Sequence, residues 1–343
     1  MYSESDIDGA VAAGVMPRET AIAFRNHVAA VRMTPAVDEE HFRLLTGFND
    51  IFVTIAIGLL LAAVSQIGGW VMEPFGGAFV AIAAWGLAEY FTRERRMALP
   101  SIVLLLAFVG GVAATMIGVL VHFHPDFSDR INALIGAGIA LVTAGAAWLH
   151  WRRFMVPITV AAGAVALVGM VIALAMVAVP AIKDSLYPLL LIGGIAVFAL
   201  AMRWDMSDRV RETRRADVAF WLHLAAAPMI AHPIFQMLGV FNPEVGMGVA
   251  AIVIALYLVF AFVALAVDRR ALLVSSLVYV LYALWAVFRS AGAVDLGWAL
   301  TALVIGAALL TLSAFWHPMR RWVIGTLGGL GDRLPPVQTL QAA

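Results

Sequence analysis

From Phe48 to Phe315 the chain is a succession of apolar stretches, most of them close to twenty residues long and separated by short polar turns. About 20 apolar residues in a helix cross roughly 30 Å of hydrocarbon, where backbone groups have no water to pair with. Ten stretches qualify, near 51–71, 76–92, 99–121, 131–149, 155–179, 186–202, 217–238, 245–267, 271–289 and 296–315. Hydrophobic residues make up 63% of the chain and charged residues 13%. Soluble domains run at about 45–50% and about 25%. The pattern predicts an all-α, polytopic transmembrane bundle in three parts: a cytoplasmic helical hairpin and linker over 1–47, a ten-helix domain over 48–316, and a cytoplasmic interfacial tail over 317–343.

Arginine placement gives an independent check. With the N-terminus inside, every second loop collects the basic residues, and only Arg130, Lys183 and Arg289 of the 22 fall on the other side. Positive residues favour the cytoplasmic leaflet, and a missed or extra span would reverse every later loop. Trp148, Trp151, Trp204, Trp316 and Trp322 fall at the same ends, where amphipathic rings settle at headgroup depth. An Arg-Arg pair recurs there, at 95–96, 152–153, 214–215, 269–270 and 320–321. A duplicated hairpin would produce this, and so would any bundle with short inner turns.

Composition excludes several chemistries. The chain has no cysteine, so disulfides, thiolate metal sites and cysteine nucleophiles are absent. A net charge of zero offers no basic face for nucleic acid. Residues 1–47 carry Glu4, Asp6, Asp8 and Glu19 without a basic-then-apolar leader, so they do not read as a signal peptide. No His-Glu-x-x-His, Gly-x-Ser-x-Gly or intramembrane aspartate pair is present, and no histidine spacing suggests haem, so neither an enzyme nor a cofactor is expected.

Residues 4–31 read as two short helices around Gly14–Pro17, and Met319–Leu334 as an amphipathic segment closed by Pro335-Pro336. The Ala-Gly-Val-Met-Pro turn at 13–17 and the closing Arg-Leu-Pro-Pro at 333–336 resemble those of a group of uncharacterised bacterial polytopic inner-membrane proteins. That resemblance implies a bacterial inner (cytoplasmic) membrane and no particular activity. Ten spans with both ends inside is also similar in topology to the drug/metabolite transporter superfamily, a likeness that carries no function by itself.

Charged and polar groups at bilayer depth are the default candidates for function. Glu89 lies four residues before Arg93, the spacing of a helical ion pair. Asp217 and Asp50 stand where caps of the seventh and first spans are expected. The seventh span is the most unusual, with His223, Pro228, His232, Pro233 and Gln236 in one stretch. Each proline removes a backbone hydrogen bond, so the expectation is a kinked helix that lines a pathway or packs around hydrogen-bonded histidines. His122, His124 and Asp126 form an outer-loop run that lacks a distant third ligand, so no metal is assigned. Gly110, Gly111, Gly118, Gly136, Gly138, Gly145, Gly163 and Gly169 suggest close helix packing.

The leading expectation is a transporter-like protein for a neutral or amphiphilic solute, since midplane acids for proton or sodium coupling are scarce. The alternative is a non-catalytic scaffold, sensor or subunit that binds a protein partner at the cytoplasmic face through residues 1–47. Membrane lipids are the expected surroundings in both cases.

Overall fold

The computed structural model describes residues 4–31, 48–123, 126–179, 182, 185–208, 211, 213–240, 247–290 and 297–335. Among these residues all regular structure is helical. Helices α1 (Glu4–Ala12) and α2 (Arg18–Val31) form a hairpin around Gly14, whose φ of 70° fits a residue without a Cβ. Asp8 accepts a 2.6 Å bond from Arg25 across the hairpin. This hairpin belongs to one compact unit and the remaining helices to a second.

The second unit opens with α3 (Phe48–Val71) and α4 (Glu73–Ala88), which widens into a π-helical turn over Glu89–Glu94. It continues through α5 (Ala98–Phe123), α6 (Asp129–Phe154), α7 (Ile158–Ala178) and α8 (Leu186–Ser207). Then come α9 (Arg214–Met237), α10 (Met247–Val267), α11 (Ala271–Ser290), α12 (Gly297–Ala314) and α13 (Trp316–Leu327). Helices α3–α12 fall on the ten predicted stretches. Among the described residues eight helices are long and apolar enough to cross a membrane: α3, α4 with its π turn, α5 to α9, and α12. The chain is thus a multi-pass membrane protein by helix length and composition; α10 and α11 lie outside that set of eight.

Several boundaries differ from expectation because helices run further toward the arginine-bearing turns; α3 begins at Phe48 rather than near 51, and α6 ends at Phe154 rather than near 149. The sixth stretch ends at Ser207 rather than near 202, which takes Asp205 into α8. The seventh begins at Arg214, so its cap is Thr213, whose hydroxyl accepts from the Arg215 N–H, and Asp217 sits inside the first turn instead.

Packing is by neighbouring hairpins. A Cβ on Gly77 of α4 would stand 2.5 Å from the Thr115 nitrogen and 2.7 Å from the Gly111 oxygen of α5, so these backbones meet directly. Gly194 of α8 meets the Met229 backbone of α9 in the same way. Among the predicted packing glycines only Gly111 and Gly118 are in such contact, with Gly163 loosely placed. Gly110, Gly136, Gly138, Gly145 and Gly169 have open space where a Cβ would go. Small residues permit close approach only where a neighbouring helix lies on that face.

Helix α9 is the centre of the unit. Its most apolar stretch is 56% buried, against 28% or less in the other seven spans. It packs on α7, α8 and α11. One side carries Val218, Leu222, Ala226 and Met229 against Ala161, Val197 and Ala201, while its far end sets Ala231 and Phe235 against Val253, Val280 and Ile305. Helix α13 lays Trp316, Arg320 and Val323 inward as one stripe. Trp316 and Val323 join Ala264, Leu265, Leu272 and Leu273, so the tail is docked on α10 and α11.

Candidate functional site

The most polar ground in the interior lies at the arginine-bearing ends of α8 to α11. Asp205 and His223 are fully enclosed and Arg269 is 3% exposed. His223 reaches Asp205 through Nε2 at 2.8 Å. Arg269 donates to both carboxylate oxygens and, at 3.2 Å, to the Ala216 carbonyl. Guanidinium and carboxylate match as planar forks, which makes such a pair strong and directional. The three side chains come from α8, α9 and the turn before α11, so this cluster fixes how those helices meet. A buried acid left alone would be costly; here it is compensated on both oxygens.

The residue before Arg269 anchors a second cluster. Asp268 has φ 60° and Arg211 φ 59°, a left-handed backbone that non-glycine residues rarely adopt. The two are paired at 3.0 Å, and Arg211 also donates to the Val267 and Asp268 carbonyls. Trp316 Nε1 donates to Asp268 at 2.8 Å, and Arg320 lies 3.4 Å from the same carboxylate oxygen. Arg320 further donates to the Pro335 carbonyl at 2.6 Å. Burial pushes the Arg320 guanidinium below its ordinary value, and the Asp268 charge opposes that shift. The tail is therefore tied to the bundle by charge as well as by apolar contact.

Of the candidates in the seventh stretch, His223 is a partner of Asp205, with Phe198 edge-on at 5.1 Å. His232 is half-buried and shares a 2.8 Å hydrogen bond through Nδ1 with the Tyr279 hydroxyl of α11. Tyr187 of α8 lies edge-on to it, with ring centres 6.0 Å apart. Gln236 stands one turn further along α9. Helix α9 runs unbroken through both prolines, with Pro228 exposed and Pro233 buried. Two shallow cavities, near 630 and 300 Å³, are lined by residues of α8 and of α4–α6; neither is lined by His223 or His232.

Glu89 does pair with Arg93, at 3.3 Å, but holds Arg153 of α6 more closely, at 2.7 and 2.8 Å. The helical spacing disclosed the weaker partner only. His150 is fully buried, caged by Trp85, Phe108 and Phe154, and 3.5 Å from the Thr159 hydroxyl. His122 and Asp126 are exposed, and His124 lies outside the described residues. Among the described residues no group of three metal-ligating side chains converges.

Sequence reasoning missed Asp205, Asp268 and Arg269 as a site. The available signal was an acid inside the arginine-rich segment 203–215 and another heading the Asp-Arg-Arg run at 268–270. Comparisons with protein-family models, with curated proteins and with solved structures found no match to this chain.

Proposed function

We propose that this chain is a ten-span protein of the bacterial inner membrane, with both ends cytoplasmic, that conveys a neutral or amphiphilic solute along α9. The observation that carries this reading is the contrast within α9 itself. The most buried of the eight long apolar helices among the described residues holds two prolines, His232 and Gln236 where an apolar core helix would serve packing better. Polar residues on a buried membrane helix face protein or a wet cavity. The His232–Tyr279 pair sits beyond the middle of α9, while Asp205–Arg269 and Arg211–Asp268 close the arginine-bearing end. Support comes from that arrangement: a half-buried hydrogen-bonding pair within the bundle and an ion-paired closure at one end of it.

The cysteine-free sequence makes the test clean. Single cysteines at His232, Gln236 and Tyr282, the last half-buried on α11 against the Ala231 and Phe235 cluster, are exposed to a membrane-impermeant maleimide in intact cells, with Arg152→Cys and Lys183→Cys as topology markers. Labelling of the first three from the Lys183 side, with a lipid-facing control such as Leu258→Cys on α10 left unlabelled, is the expected result. Silence at all three, with the markers labelling on opposite sides, removes the pathway. Markers labelling on the same side remove the topology.

A second reading rests on the α1–α2 hairpin, a separate unit that exposes Val15, Ile22 and Phe24. It is a docking element for a soluble protein. Stoichiometric co-purification that disappears on deletion of residues 1–31, together with unlabelled cysteines along α9, would favour it.

A further inference from the structure

A lipid-facing groove and a set of cations meet where α4 and α6 approach their arginine-bearing ends. The groove, near 300 Å³, is lined by Ala81, Ile82 and Trp85 of α4, Phe108 of α5 and Leu149 of α6. Ile82 is 71% exposed and Leu149 50%, so the groove opens outward from the bundle. Its lining is aliphatic and aromatic, with the Trp85 and Phe108 rings 5.0 Å apart at the floor.

Immediately beyond it the chemistry changes. Glu89 follows Trp85 by one turn on α4, and Arg152 and Arg153 follow Leu149 by three and four residues on α6, a rise of about 5 Å. Glu89 is shared between Arg153 and Arg93. Arg95 is held by the Tyr90 hydroxyl at 2.6 and 2.9 Å, with its guanidinium 5.2 Å from the ring centre. Arg152 lies 5.2 Å from the Trp148 ring centre. Neither Arg95 nor Arg152 pairs with a carboxylate among the described residues. Arg93, Arg95, Arg96, Arg152 and Arg153 thus outnumber Glu89 and Glu94 at this end, and Arg95 and Arg152 are oriented by aromatic rings of the kind that settle at headgroup depth.

We propose that this is a binding site for one anionic phospholipid, with its phosphodiester on Arg95 and Arg152 and one acyl chain in the groove over Ile82, Trp85 and Leu149. The guanidinium fork matches a phosphate, and the net positive charge selects a headgroup with no cation of its own. The apolar groove directly alongside selects a ligand whose phosphate carries a hydrocarbon chain. A zwitterionic lipid brings its own cation against the arginines, and free phosphate leaves the groove empty.

The full chain is placed in nanodiscs of phosphatidylcholine containing 10 mol% of either dibrominated phosphatidylglycerol or dibrominated phosphatidylcholine, and tryptophan quenching is read. The brominated anionic lipid is expected to quench more than its zwitterionic counterpart, and Trp85→Phe is expected to shrink that excess. The exposed pair Arg95→Gln/Arg152→Gln is expected to weaken the preference at least ten-fold, at roughly one guanidinium–headgroup contact each. Arg214→Gln/Arg215→Gln, which removes the same charge elsewhere at that end, leaves it in place. Equal quenching by the two lipids overturns the site. So does equal loss in both double variants, which would mark general surface attraction, and so does full displacement by millimolar glycerol phosphate, which would mark a headgroup-only contact.

Discussion

Gly77 and Gly111 bring α4 and α5 backbone to backbone, whereas α8, α9 and α11 are joined through Asp205, His223 and Arg269. The two regions share helix length and apolar content, and they face the same difficulty. An apolar side chain gains little by leaving lipid for protein, so helices in a membrane adhere by tight van der Waals contact or by polar bonds. The first region takes the close-contact route, aided by Gly118 against Pro74. The second accepts buried charge, and with it a fixed geometry. Adding a side chain at the glycine interface therefore pushes the helices apart, while removing one from the charge cluster strands its partners.

That contrast can be broken most forcefully at Asp205. Asp205→Ala leaves Arg269 and His223 enclosed without their acceptor and should cost about 3–5 kcal/mol, read as unfolding in mixed micelles. Replacing all three by leucine should recover most of the loss, since a compensated apolar cluster can match a buried ion pair. A loss no larger than that of an exposed alanine substitution would show that the cluster does not hold the helices. The glycine interface sharpens the comparison next. Gly77→Leu forces a branched chain into backbone at 2.5 Å and should cost about 1–3 kcal/mol, while Gly136→Ala, with open space around it, should be neutral or slightly stabilising. The same unfolding measurement, with α4–α5 crosslinking as a local readout, decides it. The smallest effect belongs to the Asp8–Arg25 pair of the separate hairpin, where both partners reach solvent. Asp8→Ala should change hairpin helicity by no more than about 0.5 kcal/mol, measured by circular dichroism, and less at high salt.

Much of the fold was legible because hydropathy is a local property. The stretches from Phe48 to Phe315 coincide with α3–α12, and the short helix pair around Gly14–Pro17 was visible from its turn residues. The site was less legible. Asp205 lies beyond the point where hydropathy ended the sixth stretch, so it read as loop until α8 proved to extend to Ser207. Glu89 disclosed Arg93 through helical spacing, but Arg153 lies on another helix and no spacing rule reaches it. His223 was singled out for the right oddity, a histidine in an apolar span, while its partner remained hidden.

The sequence by itself determined that hydrocarbon surrounds this chain, where each helix lies to within a few residues, and which turns carry the arginines. Those follow from the run of side chains along one helix, and a helix satisfies its own backbone wherever it is placed. Only the tertiary structure decided that α9 is the enclosed span, that Asp205 meets His223 and Arg269, and that the tail returns to Asp268. Such partnerships depend on the rotation of each helix about its axis and on which neighbour it faces, quantities that apolar length leaves free and that contacts between distant residues must set.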